Sequence, residues 1–269
     1  MRVHVIQLSY GDDESLPDRV DRVAALVRAQ SGADLVVLPE LWPNGGFAYD
    51  TWQAGAQPLD GPVVTELRAA TRDLGATVHM GSFVERDEAG RLFNASVLLG
   101  ATGELLTTYR KVHLFGFGEG EPALMTPGDG PVVHETLGLA TCYDLRFPEM
   151  FRALLDGGAE IVLMPAAWPA KRVHHWRLLA QARAVENQSY VVACNTGGTH
   201  AGVPMGGHSL VVDPWGEVLA EAGDGEEVLV VDLDPAYVTK TRAAFPVLAD
   251  RRLPTRNDHG SVIVGGQPR

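Results

Sequence analysis

The chain has 269 residues, 34 acidic and 22 basic side chains, and a formal net charge of −12. With 45% hydrophobic residues it carries enough apolar material for a sizeable core, which excludes a disordered or collagen-like chain. The negative balance argues against nucleic acid or an anionic membrane as the main partner. No apolar run approaches the roughly 20 residues a bilayer span requires, and no signal peptide is visible before the strand-like Val3. Two cysteines, Cys142 and Cys194, make no disulfide framework and fit a reducing cytoplasm.

In chain order, Val3 to Leu8 and Leu35 to Leu38 read as buried strands. Val20, Val23, Ala24 and Val27 between them lie on one helical face, giving a β-α-β start. Val63, Leu67, Ala70 and Leu74 predict a second helix, followed by extended segments over 77–84 and 95–111. A third helix begins at Pro148, where proline suits the first turn. Strand 161–164, a helix over 175–187 and strand 190–194 continue the alternation. The stretch from His208 to Leu233 reads as a hairpin turning at Asp213-Pro214-Trp215-Gly216. Residues 234–269 form a C-terminal extension, with a short helix and a tail expected to dock on the body or on a partner subunit.

The sequence contains an internal echo. The twelve residues from Gly32 to Pro43 match Gly158 to Pro169 at six positions, with four further conservative changes. Ser96-Val97-Leu98-Leu99 likewise pairs with Ser209-Leu210-Val211-Val212. We expect one domain over 1–269 built from two similar α/β halves, their sheets face to face and their helices outside. Glu40 corresponds to Ala166 in this echo, so the scaffold itself requires no carboxylate there.

Four side chains stand out. Cys142 ends an apolar strand just before a helix, where a nucleophile is exposed and backbone N–H groups are free to receive an oxyanion. Glu40 follows four apolar strand residues and Pro39; strand ends are where open α/β sheets place ligands. Lys111 ends an extended segment and Glu121 lies in a loop. Taken singly, each has an ordinary alternative: a core cysteine, a loop glutamate, a solvated lysine.

Together, Leu38-Pro39-Glu40, Tyr109-Arg110-Lys111-Val112-His113-Leu114-Phe115 and Cys142-Tyr143-Asp144-Leu145-Arg146-Phe147-Pro148-Glu149 resemble the Glu-Lys-Cys triad segments of the nitrilase superfamily, the carbon-nitrogen hydrolases. Further likeness runs through Thr126-Pro127-Gly128-Asp129, His175-Trp176, Arg183 to Gln188 and Asp213 to Val218. The resemblance implies a four-layer α-β-β-α sandwich and a homodimer or larger assembly. It also implies Cys142 as nucleophile, Glu40 as general base and acid, Lys111 as cationic stabiliser and Glu121 as a supporting carboxylate. The form of the cysteine segment looks most like the omega-amidase branch, which implies small amides bearing a carboxylate and no cofactor. Phe47, Phe115, Tyr143, Trp168 and His175 are the candidate pocket residues, with the Tyr143 N–H as an oxyanion donor. Arg146 and Arg183 are expected in structural ion pairs.

The histidines lack metal-ligand spacing, so no metal is expected. Competing readings are a Cys-His hydrolase using His113, His175 or His208, and a non-catalytic scaffold. A dinucleotide enzyme is suggested only by glycines at 116–120, where Glu121 stands in place of the third. Carbamoylases and nitrilases share the triad chemistry. The short 132–138 hairpin and the glycine-rich 116–120 loop depart from the usual pattern beside the pocket.

Overall fold

The computed structural model describes residues 1–252 and the strand backbone of 263–264. The first part of the chain runs β1 (Arg2–Gln7), β2 (Ser9–Tyr10), α1 (Leu16–Arg28), β3 (Leu35–Val37), α2 (Tyr49–Gly55), α3 (Pro62–Leu74), β4 (Thr77–Arg86), β5 (Leu92–Leu99) and β6 (Leu105–Arg110). After α4 (Glu121–Leu124) come β7 (Val132–His134), β8 (Leu137–Leu139), a 3-10 turn (Cys142–Arg146), α5 (Pro148–Asp156) and β9 (Ile161–Pro165). A 3-10 turn (Ala170–Arg172) leads into α6 (Val173–Asn187), β10 (Tyr190–Cys194), β11 (Gly197–His200), β12 (Val203–Pro204) and β13 (Leu210–Val212). The chain then forms β14 (Val218–Glu221), β15 (Glu227–Asp232), α7 (Pro235–Ala244) and β16 (Ile263–Val264).

Local chemistry sets the helix ends. Ser15 caps α1 by accepting from the Asp18 N–H at 3.3 Å, and Pro17 occupies the first turn. Helix α3 starts at Pro62 and stops at Gly75, whose φ of 74° is the left-handed value that favours glycine.

The two halves repeat one topology. In the first, β1, β3, β4, β5 and β6 are neighbours in that order, with parallel, parallel, antiparallel and antiparallel pairings. In the second, β8, β9, β10, β13 and β14 follow in order with the same four pairings. The pairing register shifts at Leu98/Leu99 in one half and at Val211/Val212 in the other, the positions that correspond in the echo.

Strand alternation makes the layers. Val3, Val5, Leu35 and Val37 share a core with residues of the second sheet such as Val191 and Leu210. Ile6, Val36 and Leu38 pack instead with Val23 and Val27 of α1 and Leu67 of α3. Phe151 and Leu154 of α5 and Trp176 and Ala180 of α6 join the core of the second sheet. The order is helix, sheet, sheet, helix, and each buried aliphatic side chain stabilises it by about 1.5–3 kcal/mol.

Three features differ from the sequence reading. The extended 95–111 segment is two strands, split by a turn in which the Gly103 N–H donates to the Gly100 carbonyl at 2.8 Å. The hairpin after His208 is β13–β14 alone, because β15 crosses to the other sheet and pairs antiparallel with β1. Glu121 opens the short helix α4 instead of lying in a loop. Of the C-terminal extension, α7 docks on the body: Val238 is buried and Arg242 donates to the carbonyls of Ala159 and Asn187. The remaining tail, 253–262 and 265–269, lies outside the described residues.

Candidate active site

Glu40, Lys111, Glu121 and Cys142 meet at the ends of strands from both halves. Glu40 follows β3, and its turn is accommodated by Gly81: a Cβ there would lie 1.9 Å from the Pro39 carbonyl oxygen. Lys111 follows β6, backed by Gly128, where a Cβ would lie 2.0 Å from the Arg110 oxygen. No side chain fits either position, so these glycines permit the close backbone approach behind the site.

The Lys111 ammonium is buried between two carboxylates. Its Nζ donates to Glu40 Oε1 at 2.7 Å and to Glu121 Oε1 and Oε2 at 2.9 and 2.8 Å. Asn94, on β5, donates its amide to Glu40 Oε1 at 2.8 Å and to Glu121 Oε1 at 2.6 Å. The Phe115 N–H completes Glu121 at 2.6 Å, and the Ala167 N–H donates to Glu40 Oε2 at 2.9 Å. Every oxygen of both carboxylates therefore has a donor.

Cys142 opens its 3-10 turn with a φ of 48°, the left-handed region that costs a non-glycine residue about 1–3 kcal/mol. The Asp144 carboxylate holds the turn in place. It accepts from the Thr141 N–H at 2.8 Å and the Tyr109 hydroxyl at 2.6 Å. Its other oxygen accepts from the His113 N–H at 3.1 Å and pairs with His113 Nδ1 at 2.7 Å. Residues on either side of Lys111 thus clamp the cysteine turn. The thiol lies close enough to Glu40 and Lys111 for both charges to act on it.

The charges pull against one another. Burial and the Glu40 carboxylate push the Cys142 thiol well above its usual range, against the pull of Lys111. Burial disfavours the Lys111 cation, but Glu121 and Glu40 hold its pKa well above the ordinary lysine value. Burial, reinforced by Glu40, raises the Glu121 carboxyl despite Lys111. The resting site therefore holds a protonated thiol and one ammonium shared by two carboxyl groups.

Phe47, Phe115, Tyr143 and Trp168 line one pocket with Cys142, joined by Arg146 and Arg172. Phe47 is placed by a loop whose Gly46 N–H donates to His200 Nδ1 at 3.2 Å. The Tyr143 N–H lies in the first turn after Cys142, where a 3-10 turn leaves donors without an intrahelical acceptor. Trp168 Nε1 donates to the Cys142 carbonyl at 3.3 Å, and the Trp168 N–H donates to Asn195 Oδ1 at 2.7 Å. His175, expected in the pocket, is not among its lining residues and instead has its Nδ1 3.3 Å from Arg146 Nη2. Of the two arginines expected in ion pairs, Arg183 meets Glu186 at 2.9 Å, whereas Arg146 meets no carboxylate among the described residues. Arg146 stacks on Trp168 instead, with Cζ 4.7 Å from the ring centroid.

Asn94, Tyr49 and Arg172 were not singled out from the sequence. Tyr49 faces the charged cluster: burial and the nearby Glu121 and Glu40 raise its hydroxyl pKa. Among the described residues no group of three or more His, Cys, Asp or Glu side chains could hold a metal ion, and no helix is long and apolar enough to cross a membrane.

Residues 2–243 match the family model described as carbon-nitrogen hydrolase. The chain belongs to the carbon-nitrogen hydrolase family. This carbon-nitrogen hydrolase is 43% identical to 2-oxoglutaramate amidase of Paenarthrobacter nicotinovorans, over 97% of this chain and 93% of the relative. It is 34% identical to omega-amidase NIT2 of Mus musculus, over 93% of this chain and 95% of the relative. Among solved structures, a CN-hydrolase superfamily protein of Xanthomonas campestris with an arsenic adduct in its active site superposes with a TM-score of 0.86 at 29% identity. That match covers 96% of this chain and 99% of the other.

Proposed function

We propose that this carbon-nitrogen hydrolase releases ammonia from small amides whose far end is a carboxylate, through a thioester on Cys142. The observation that carries the reading is the buried Lys111 ammonium held by Glu40 and Glu121 beside the thiol of a strained turn. The named activities of its amidase relatives support the substrate class.

A thiol held protonated needs a base at the moment of attack. Glu40 Oε2 accepts only the Ala167 N–H, which leaves a lone pair for the thiol proton. As Sγ bonds to the amide carbon, Glu40 becomes neutral and its hold on Lys111 slackens. An ammonium N–H then turns to the new oxyanion, with the Tyr143 N–H as second donor; one such donor is worth about 3–4 kcal/mol in other enzymes. Glu40 returns its proton to the nitrogen, the C–N bond breaks and ammonia leaves. Water then loses a proton to Glu40 and attacks the thioester carbon. Collapse expels the sulfur, which takes that proton back from Glu40, and the acid departs. Glu121 and Asn94 keep Lys111 and Glu40 in register throughout.

The free buried thiol suits a reducing cytoplasm. An apolar patch supports a homodimer: Leu178 and Val185 share one face of α6, exposed by 63% and 46%. The turn beside them presents Trp215, stacked on Phe245 with centroids 6.0 Å apart.

The deciding experiment is an ammonia-release panel of carboxylate-ended amides, neutral amides, carbamoyl compounds and nitriles, with Cys142→Ala as control. Ammonia from carboxylate-ended amides, abolished in the variant, is expected. Turnover confined to carbamoyl compounds, with carbon dioxide released, or to nitriles would replace the amidase reading.

A further inference from the structure

Arg146 and Arg172 border the pocket together, and neither meets a carboxylate among the described residues, although Arg110, Arg177 and Arg183 all do. Arg146 is restrained by Trp168 and His175. Arg172 ends the 3-10 turn before α6 and is half-buried, with its Cζ 5.3 Å from the Phe115 ring centroid. Burial and the charge of Arg146 disfavour the Arg172 cation. Holding two guanidinium groups near each other without a counter-ion, in a chain of net charge −12, is unfavourable unless an anion completes the arrangement. A guanidinium fork matches a carboxylate through two parallel N–H bonds, and the first turn of the 15-residue helix α6 adds its positive end.

We propose that Arg172 is a specificity-determining residue that binds the carboxylate at the far end of the substrate, with Arg146 as the fixed second cation. The proposal rests on the amidase reading above for the identity of the ligand. Arg172 is the half of the clamp held beside the pocket by contact with the Phe115 ring. Phe47 and Phe115 line the same pocket and supply apolar surface for the middle of the substrate.

Succinamate and butyramide test this, since they present the same amide and chain length with and without the distant carboxylate. Arg172→Ala is expected to lower the succinamate-to-butyramide ratio of kcat/KM by about 30-fold, mainly through the KM for succinamate. Arg172→Lys should recover part of that ratio. Equal losses for both amides, or a wild-type enzyme indifferent to the carboxylate, overturn the proposal. Calorimetry with succinate on Cys142→Ala gives a readout that needs no turnover. Affinity falling at least about tenfold on adding Arg172→Ala supports the subsite, and unchanged affinity overturns it. Succinate binding through Arg172 in a protein whose wild type releases no ammonia from either amide would overturn the amidase reading while the subsite stands.

Discussion

The Glu40 N–H donates to the Ala166 carbonyl at 3.3 Å, so the general-base candidate touches the residue that holds the equivalent place in the second half. The next N–H, from Ala167, returns to the Glu40 side chain. The strand ends that echo one another in sequence thus meet, one supplying a carboxylate and the other backbone donors. Glu40→Gln keeps the size and most of these contacts but cannot take a proton. We expect kcat to fall about a thousandfold with the fold intact, measured as ammonia release beside a melting curve. Near-normal turnover would assign the base elsewhere.

Asn94 gives both amide hydrogens to carboxylates, so Asn94→Ala leaves Glu40 and Glu121 each short of a donor. Hydrogen bonds to a carboxylate favour its ionised form, and their loss raises its pKa. Glu121 is already pushed up by burial and Glu40. The acid limb of the kcat/KM profile should therefore move to higher pH, with a loss of about 10–100-fold at its optimum. A uniform loss with an unmoved limb would reduce Asn94 to packing.

Asp144 receives four donors from three residues, two of them flanking Lys111. Tyr109→Phe removes one donor from this buried carboxylate and should cost about 1–3 kcal/mol of stability. Asp144→Asn, which leaves donors facing an amide nitrogen, should cost more and lower kcat as well. Urea unfolding separates the two effects; no stability change in either variant would sever the clamp from the site.

His79 is fully buried, and burial pushes its pKa down to about 4. The unfolded chain then binds a proton near pH 6.5 that the folded chain refuses. Stability is fully present above that value and is lost as pH falls through about 4, by up to about 3 kcal/mol. His79→Gln should flatten that acid slope in melting temperatures between pH 7 and pH 4.5. An unchanged slope would point to other groups.

In the proposed homodimer, Leu178 and Trp215 lie where the two copies meet. Leu178→Glu or Trp215→Glu should halve the mass seen by light scattering, because burying an unpaired carboxylate is costly. A wild-type mass equal to one chain would remove the dimer reading.

Much of the fold was legible because its signals are periodic or repeated. Val23, Ala24 and Val27 declared a helix face, and the Gly32/Gly158 echo anticipated the duplicated topology. The crossing of β15 was hidden, since adjacency along the chain favours a hairpin and nothing local to Glu227–Asp232 announces a partner as distant as β1. Helix α2 has one buried residue, Trp52, and therefore no periodicity to read. At the site, Cys142, Glu40 and Lys111 stood out as reactive types at strand ends, and Glu121 through the family resemblance. Asn94 sits mid-strand among buried neighbours, where its type says nothing of two carboxylates. Arg172 looked like any loop arginine until the absence of an acidic partner became visible.

The sharing of one Lys111 ammonium by two carboxyl groups bears on the end of turnover as well. On the proposed mechanism, hydrolysis turns the amide into an acid that ionises by giving its proton to solvent, beside Glu40 and Glu121, which share a single ammonium. Like charges that close in a buried site repel strongly. On the proposed mechanism the ionised product is held more weakly than the amide, which favours its release over product inhibition.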